Sequence, residues 1–145
     1  MEDRSPKFWI IVASKDHVKK GVEGGFAQAG HGKSAPLKRM SKGDYIEYYS
    51  GKETLEGGEK CQEFTAIGKI KEDQIYQVTE NPDFHPNRLN VNFFKAEDIP
   101  IKPLLEDLDF IENIRYWGFP LMKGVLEINQ HDFELISQKM LKERF

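Results

Sequence analysis

The residues best suited to bind a ligand lie in one glycine-rich stretch, residues 24–34, with the sequence GGFAQAGHGKS. It contains four glycines and no acidic residue. Glycine adopts backbone angles closed to other residues and lets a ligand approach the main chain. Phe26 offers a flat apolar face, and Gln28, His31 and Lys33 offer hydrogen-bond donors. We predict a ligand-facing loop without strand or helix; a flexible surface loop is the alternative.

Residues 27–34 match the nucleotide-phosphate pattern GxxxxGK[ST] if alanine is accepted at the first position. That site requires a buried strand leading directly into the loop, and a helix whose N-terminus faces the phosphates. Here a short predicted helix and residues 21–25 separate the strand from the loop. No later apolar strand ends in an aspartate suited to bind magnesium. The sequence therefore disfavours a nucleotidase.

Metal and nucleophile chemistry find little support in the sequence. The four histidines and the single cysteine, Cys61, include no pair at the short spacing of strong zinc sites, so we expect no metal and no cofactor. Cys61, Ser14, Ser34 and Ser50 lack a nucleophile elbow or a paired base. We therefore expect no catalytic residue.

The composition describes an ordinary globular protein: 145 residues, of which 39% are hydrophobic and 31% charged. The net charge of -3 argues against a sequence-blind binder of duplex DNA. Residues 28–43 nevertheless contain four lysines or arginines and no acid, which favours a local anion-attracting patch. The lone Cys61, and the lack of a signal-peptide pattern or membrane-spanning run, lead us to expect a cytoplasmic protein without a membrane partner.

The predicted elements indicate an α+β fold, a mostly antiparallel barrel of about six strands decorated with short helices. We expect a polar tail at residues 1–6 and a single domain at 7–145. Strands are predicted at 8–13, 44–50, 64–70, 75–78, 89–94 and 122–128, the first covered on both faces. Helices are predicted at 15–20 after Ser14, at 34–42, at 104–111 and after Asn129, with Gly21 ending the first and Gly43 the second.

Aromatic residues are more numerous than a core of this size requires, and several lie in predicted loops. A flat aromatic side chain stacks on a nucleobase and contributes about 1–3 kcal/mol per base. Polar groups in a tight pocket recognise the edge of a flipped base. Together with the basic patch, these features favour base recognition.

Motifs along nearly the whole chain are similar to those of one family. They are SKDHV (14–18), GGFAQ (24–28), HGK (31–33), PLKRM (36–40), GDYIEYYS (43–50), FTAIG (64–68), FHPNR (84–88), LDFIE (108–112), WG (117–118) and HDFELI (131–136). The chain resembles the bacterial EVE-domain family, of the UPF0310 type. That family has a PUA-like pseudobarrel fold related to YTH domains.

The resemblance implies a non-catalytic module that binds DNA or RNA through a flipped or modified base, such as a methylated cytosine or adenine. Carried over by position, the pocket consists of Trp9, Ala13, Ser14, Gly25, Phe26, Ala27, Gln28, Tyr48, Tyr49, Ser50 and Trp117. Phe26 and a tryptophan are expected to stack on the base, while Gln28 and Ser14 contact its edge. The expected contacts to the nucleic-acid backbone are Lys33, Lys38, Arg39 and Arg88.

Two alternatives stay open at this point. One is a small hydrolase acting on a nucleotide or RNA, with His31, Lys33 and His85 as its catalytic candidates. The other is a pocket for a small metabolite unrelated to nucleic acid.

Overall fold

The computed structural model describes residues 5–141, so part of the predicted N-terminal tail and residues 142–145 lie outside it. The strands are β1 Phe8–Val12, β2 Phe26–Ala27, β3 Tyr45–Lys52, β4 Lys60–Ile70, β5 Tyr76–Gln77, β6 Asn87–Phe93, β7 Ile99–Pro100 and β8 Val125–Ile128. The α-helices are α1 Lys15–Gly24, α2 Ser34–Lys38 and α3 Gln130–Met140. Short 3-10 helices cover Gly30–Gly32, Lys102–Leu104, Ile114–Tyr116 and Pro120–Lys123.

The strands form one strongly curled sheet in the order β2-β6-β4-β3-β1-β8, with β5 paired to β6 and β7 paired to β4. Only the β1–β3 pair is parallel among the pairs of the described residues. This is the predicted α+β, mostly antiparallel pseudobarrel. The six predicted strands correspond to β1, β3, β4, β5, β6 and β8; the sequence did not predict the two-residue strands β2 and β7.

Strand β1 is covered on both faces, as its unbroken apolar sequence predicts. Ile10 packs into one buried cluster together with Phe64 and Ile136. Trp9 and Ile11 face the opposite way, into a second buried cluster. Because apolar side chains on both faces are removed from water, the end of this strand is a rigid support for the loop that follows it.

The prediction that α1 stops at Gly21 is wrong. The helix continues to Gly24, and Gly25 ends it with a left-handed φ of 73°. A β-carbon on Gly21 would lie 2.8 Å from the backbone oxygen of Phe26. Gly21 therefore allows α1 to pack closely on the chain that follows, rather than breaking the helix.

The glycine-rich stretch is more regular than predicted. Phe26 pairs with Asn90 and Ala27 with Leu89 on β6, and both side chains of β2 are buried. Two residues between glycines are enough for this pairing because β6 supplies the partner backbone. The expectation of a stretch without strand is therefore corrected.

The predicted helix at 104–111 is absent; the structure has a 3-10 helix at Lys102–Leu104 followed by turns. The apolar residues of this segment, Leu104 and Leu108 among them, are nevertheless buried in the core. The buried carboxylate of Asp132 instead accepts hydrogen bonds from the backbone nitrogens of Asp109 (2.8 Å) and Phe110 (2.9 Å). These donors are thereby bonded to α3 and not to carbonyls of their own segment.

The other helices follow the prediction in position. Helix α2 begins at Ser34 but ends at Lys38, before the predicted limit. The side chain of Asn129 accepts a 2.8 Å hydrogen bond from the backbone nitrogen of Asp132 and caps α3 as predicted. Within residues 5–141, none of the helices has the length and apolar character needed to cross a lipid bilayer.

Candidate functional site

A cavity of about 450 Å³ lies where the end of β1 meets the first turn of α1 and the turn Gly30–Gly32. Three of the predicted site residues line it: Ala13, Ser14 and Gln28. The other lining residues are Val12, Asp16, His17, Lys20, Ala29, Gly30, His31, Gly32, Leu55, Phe84 and Gly124. The part of the glycine-rich stretch from Gln28 to Gly32 therefore lines a cavity; that a ligand binds there stays a prediction.

The orientation of the Gln28 amide is fixed by its two neighbours. Nε of Arg88 donates a 2.6 Å hydrogen bond to Oε1 of Gln28. Because a guanidinium has no acceptor, the amide atom facing it must be the oxygen. The amide nitrogen then points to Nε2 of His17, 3.4 Å away. Within residues 5–141, the amide thus uses one of its two N–H groups and one of its two oxygen lone pairs in these contacts.

This arrangement requires a neutral His17. Its Nε2 must accept the proton of the Gln28 amide, so the imidazole proton resides on Nδ1. Burial, and to a lesser degree the charge of Lys20, lower the pKa of His17 below its ordinary value. The electrostatics of the cavity therefore favour the protonation state that the hydrogen bond requires.

The guanidinium of Arg88 is used inside the protein. It lies 3.7 Å from the centre of the Phe26 ring, in a stacked cation–π contact. Its Nη2 is 3.9 Å from a carboxylate oxygen of Glu80, which also forms an ion pair with Lys20. Burial lowers the pKa of Arg88. Neither Phe26 nor Arg88 lines the cavity. The ligand contact predicted for Phe26 and the phosphate contact predicted for Arg88 stay predictions.

Tyr48 supports the cavity from within the core. Its hydroxyl donates to the backbone oxygen of Gln28 (3.2 Å) and lies 3.3 Å from the backbone nitrogen of the same residue. Burial raises the pKa of this hydroxyl, which keeps it protonated and able to donate. Gly25 and the buried Ala27 lie next to this anchor and do not line the cavity.

The remaining predicted pocket residues lie elsewhere in the fold. Trp9 is buried, and its indole nitrogen donates to the Asp44 carboxylate (3.0 Å). Ser50 is buried and its hydroxyl lies 2.7 Å from that of Thr65. Tyr49 and Trp117 meet edge to face with ring centres 6.5 Å apart. None of these side chains lines the cavity, so their assignment as base contacts stays a prediction.

Sequence reasoning missed several residues that line the cavity. His17 lies in the first turn of α1, and this position in the sequence gave no sign of a pocket. Phe84 lies between Pro82 and Pro86 in the segment 81–88, where the two prolines indicated a loop but not its direction. Leu55 is 66% exposed in the connection between β3 and β4, where its apolar side chain was a signal that could have been used.

The predicted cationic residues other than Arg88 are exposed but do not all line one space. Lys33 and Arg39 are exposed and line a small groove of about 330 Å³ that shares Gly30 and Gly124 with the cavity. Lys38 is exposed on α2 but lines neither space.

One cluster among residues 5–141 has the composition of a cation site. Ligand atoms of Asp109, His131 and Asp132 lie within 4.8 Å of one another, at the start of α3 and outside the cavity lining. Hydrogen bonding to Asp132, with the charge of Asp109, raises the pKa of His131. Because Asp132 already accepts hydrogen bonds from the backbone nitrogens of Asp109 and Phe110, this cluster stabilises the fold.

A family model described as EVE domain matches residues 7–139. The chain belongs to the EVE-domain family. A UPF0310 protein of Mycolicibacterium vanbaalenii is 48% identical to this EVE chain over 133 residues, covering 92% of each. The predicted family is therefore confirmed.

Two solved structures show the same PUA-like fold as this EVE chain. The YTH domain of the Zygosaccharomyces rouxii MRB1 protein, in complex with N6-methyladenosine RNA, is 12% identical and has a TM-score of 0.64, covering 100% of this chain and 94% of that one. Human THYN1, in complex with 5-methylcytosine containing DNA, is 12% identical with a TM-score of 0.51, covering 96% and 99%. At these identities the similarity establishes the fold.

Proposed function

We propose that this EVE chain is a non-catalytic, cytoplasmic nucleic-acid-binding module that accepts a flipped, methylated cytosine or adenine in the cavity beside Gln28. The observation that supports this most directly is the buried Gln28 amide, oriented by contacts with Arg88 and His17 that use one of its two N–H groups and one of its two oxygen lone pairs. A nucleobase edge presents complementary donors and acceptors. A fixed amide recognises such an edge at little entropic cost.

The size and chemistry of the cavity suit a single base. Its volume of about 450 Å³ lies within the usual range for small-molecule sites, about 300–1,000 Å³. Leu55 and Phe84 add apolar and aromatic surface to its lining, against which a ring face or a methyl group packs. Ser14 and His17 provide further polar groups on the same wall.

The structural neighbours support the same class of ligand. The two whose complexes are described above carry a methylated adenosine in RNA and a methylated cytosine in DNA. Because the two ligands differ, the fold alone does not favour either, and the choice in this chain depends on its own lining residues.

The hydrolase alternative finds no matching arrangement. His31 lines the cavity, but His85 does not; its Nδ1 lies 3.0 Å from the hydroxyl of Thr79. Lys33 lies in the neighbouring groove. A general acid–base pair has to reach one reacting atom together, and these three side chains are divided among different environments.

Binding of short oligonucleotides with and without one methylated base, as single strands and as duplexes, tests the proposal. We expect at least a tenfold preference for a modified strand, equivalent to about 1.4 kcal/mol. Gln28→Ala should abolish that preference, whereas Gln138→Ala, an exposed glutamine on α3, should retain it. Binding that does not distinguish modified from unmodified strands in the wild type would refute the proposed reader function.

A further inference from the structure

An unusually apolar surface follows β7 in the chain, between residues 114 and 122. Four large side chains there are strongly exposed: Ile114 (48%), Tyr116 (59%), Phe119 (72%) and Met122 (81%). Three of them lie in the 3-10 helices Ile114–Tyr116 and Pro120–Lys123, and Phe119 immediately precedes the second helix. Exposed aromatic surface of this kind is typical of a binding site.

Tyr116 and Phe119 line an open groove of about 1000 Å³. This groove shares Arg39, Lys123 and Val125 with the smaller groove that contains Lys33. The smaller groove in turn shares Gly30 and Gly124 with the cavity beside Gln28. Through these shared residues the cavity, the small groove and the open groove adjoin one another, and we refer to the three together as the channel.

The middle of this channel is positively charged. Lys33, Arg39 and Lys123 are exposed, and none forms an ion pair with a carboxylate of residues 5–141. The guanidinium of Arg39 is held over the ring of Trp9, 5.0 Å from its centre. Glu112 and Glu127 lie only in the outer groove with the aromatic rings. Phosphates are thus favoured between the cavity and the rings, and uncharged bases beyond.

We propose that this channel binds the strand next to the captured base, with phosphates on Lys33, Arg39 and Lys123 and a neighbouring base stacked on Tyr116 and Phe119. The inference rests on the proposed function, and it narrows the ligand to an extended, single-stranded segment of DNA or RNA around the modified base. Two features support this occupant over a protein partner: the grooves share lining residues with the cavity, and they combine exposed cations with aromatic rings, as single-strand binders do.

The test compares the modified mononucleotide with a single-stranded oligonucleotide of about five nucleotides that carries the same base, by calorimetry or anisotropy. Phe119→Ala should weaken oligonucleotide binding tenfold or more, in line with base–aromatic stacking, and leave mononucleotide binding unchanged. Met122→Ala is the matched control, since this side chain is more exposed but does not line the groove. It should leave both affinities unchanged.

The salt dependence of oligonucleotide binding tests the cationic part of the channel separately. Lys123→Ala should reduce the salt dependence of oligonucleotide affinity by about one unit of slope, while Lys139→Ala, on α3 and outside all three spaces, should not. Affinities measured for DNA and RNA oligonucleotides of the same sequence show whether the site prefers deoxyribose or ribose.

The outcomes separate the two proposals. Unchanged oligonucleotide affinity in Phe119→Ala, with a mononucleotide still bound, overturns the channel but not the reader. Absence of binding by any modified base overturns both. Loss of self-association in Phe119→Ala, measured by analytical ultracentrifugation, together with unchanged oligonucleotide affinity, assigns the patch to contacts between copies and overturns the channel.

Discussion

The Nε atom of Arg88 donates a 2.6 Å hydrogen bond to Oε1 of Gln28, although 60 residues separate the two in the sequence. The same guanidinium stacks on Phe26. Arg88 is therefore a positioning residue in our proposal: it sets which atom of the Gln28 amide faces His17 and which groups face the cavity.

Arg88→Lys should weaken binding of a modified strand about tenfold, although the charge is kept. A lysine ammonium provides neither the planar stack on Phe26 nor the directed Nε–H bond to Gln28. Since Gln28→Ala removes the same interaction, the double variant should lose little more than either single variant. A double-mutant cycle measured by fluorescence anisotropy checks this coupling.

A direct phosphate contact by Arg88, which the family resemblance implies, would give a different pattern of binding in these variants. Arg88→Lys would then bind almost normally. The effects of Arg88→Ala and Gln28→Ala would add, and Arg88→Ala would lower the salt slope by about one unit. These results would contradict the positioning role.

The affinity for a modified strand should be constant at neutral pH and fall in acid, below the ordinary histidine value of 6.5. Burial lowers the pKa of His17, so its imidazole becomes protonated only in more acidic solution and then cannot accept from Gln28. Affinity measured between pH 8 and 5 should show this loss in the wild type. His17→Asn should show a weaker pH dependence.

The contributions of two histidines to the free energy of unfolding should depend on pH in opposite directions. The pKa of His17 is lowered in the folded state, so its contribution to the free energy of unfolding falls as the pH drops below 6.5. The pKa of His131 is raised by Asp132, so its contribution is present below 6.5 and is lost as the pH rises. Urea denaturation of His17→Asn and His131→Asn should show these opposite trends.

Glu47→Met should stabilise the protein at neutral pH by about 1–3 kcal/mol. Glu47 is fully buried between its cross-strand neighbours Ile10 and Ile67, and its carboxyl oxygens find no hydrogen-bond partner among residues 5–141. Burial, with the charge of Asp132, raises its pKa well above the ordinary value of 4.5. As the pH rises, the unfolded chain therefore loses the Glu47 proton at a lower pH than the folded protein does.

The raised pKa of Glu47 also predicts how the cost of burying this residue depends on pH. The cost of burial grows as the pH rises above 4.5 and levels off at the higher folded-state pKa. Glu47→Gln should accordingly gain stability relative to the wild type between pH 4 and 7, measured by urea denaturation. Glu127→Gln, an exposed control, should not. A pH-independent difference for Glu47→Gln would contradict the raised pKa.

Asp132→Asn should destabilise the protein by about 1–3 kcal/mol. Its buried carboxylate accepts from the backbone nitrogens of Asp109 and Phe110, and an amide would turn an N–H group toward one of these donors. Thermal or urea denaturation measures the loss. Asp107→Asn, exposed in the same segment, should change stability by less than about 0.5 kcal/mol. Equal effects of the two substitutions would refute the anchoring role.

Local sequence determined the positions of six strands, the Asn129 cap of α3 and the core character of residues such as Leu104 and Leu108. These features depend on neighbouring side chains, on periodicity and on caps, all of which are present in a short segment of chain. The resemblance of ordered motifs identified the family and its fold. It also directed attention to Ser14 and Gln28, two residues that line the cavity.

Tertiary structure alone decided the rest. β2 exists because β6 offers it a partner, and the segment at 104–111 avoids a helix because Asp132 takes two of its backbone donors. Gly21 lies inside a helix because of the backbone that packs against it. The orientation of the Gln28 amide depends on Arg88, which the pairing of β2 with β6 brings beside it. Such contacts join residues far apart in sequence, and their energies depend on burial and geometry that no local pattern encodes.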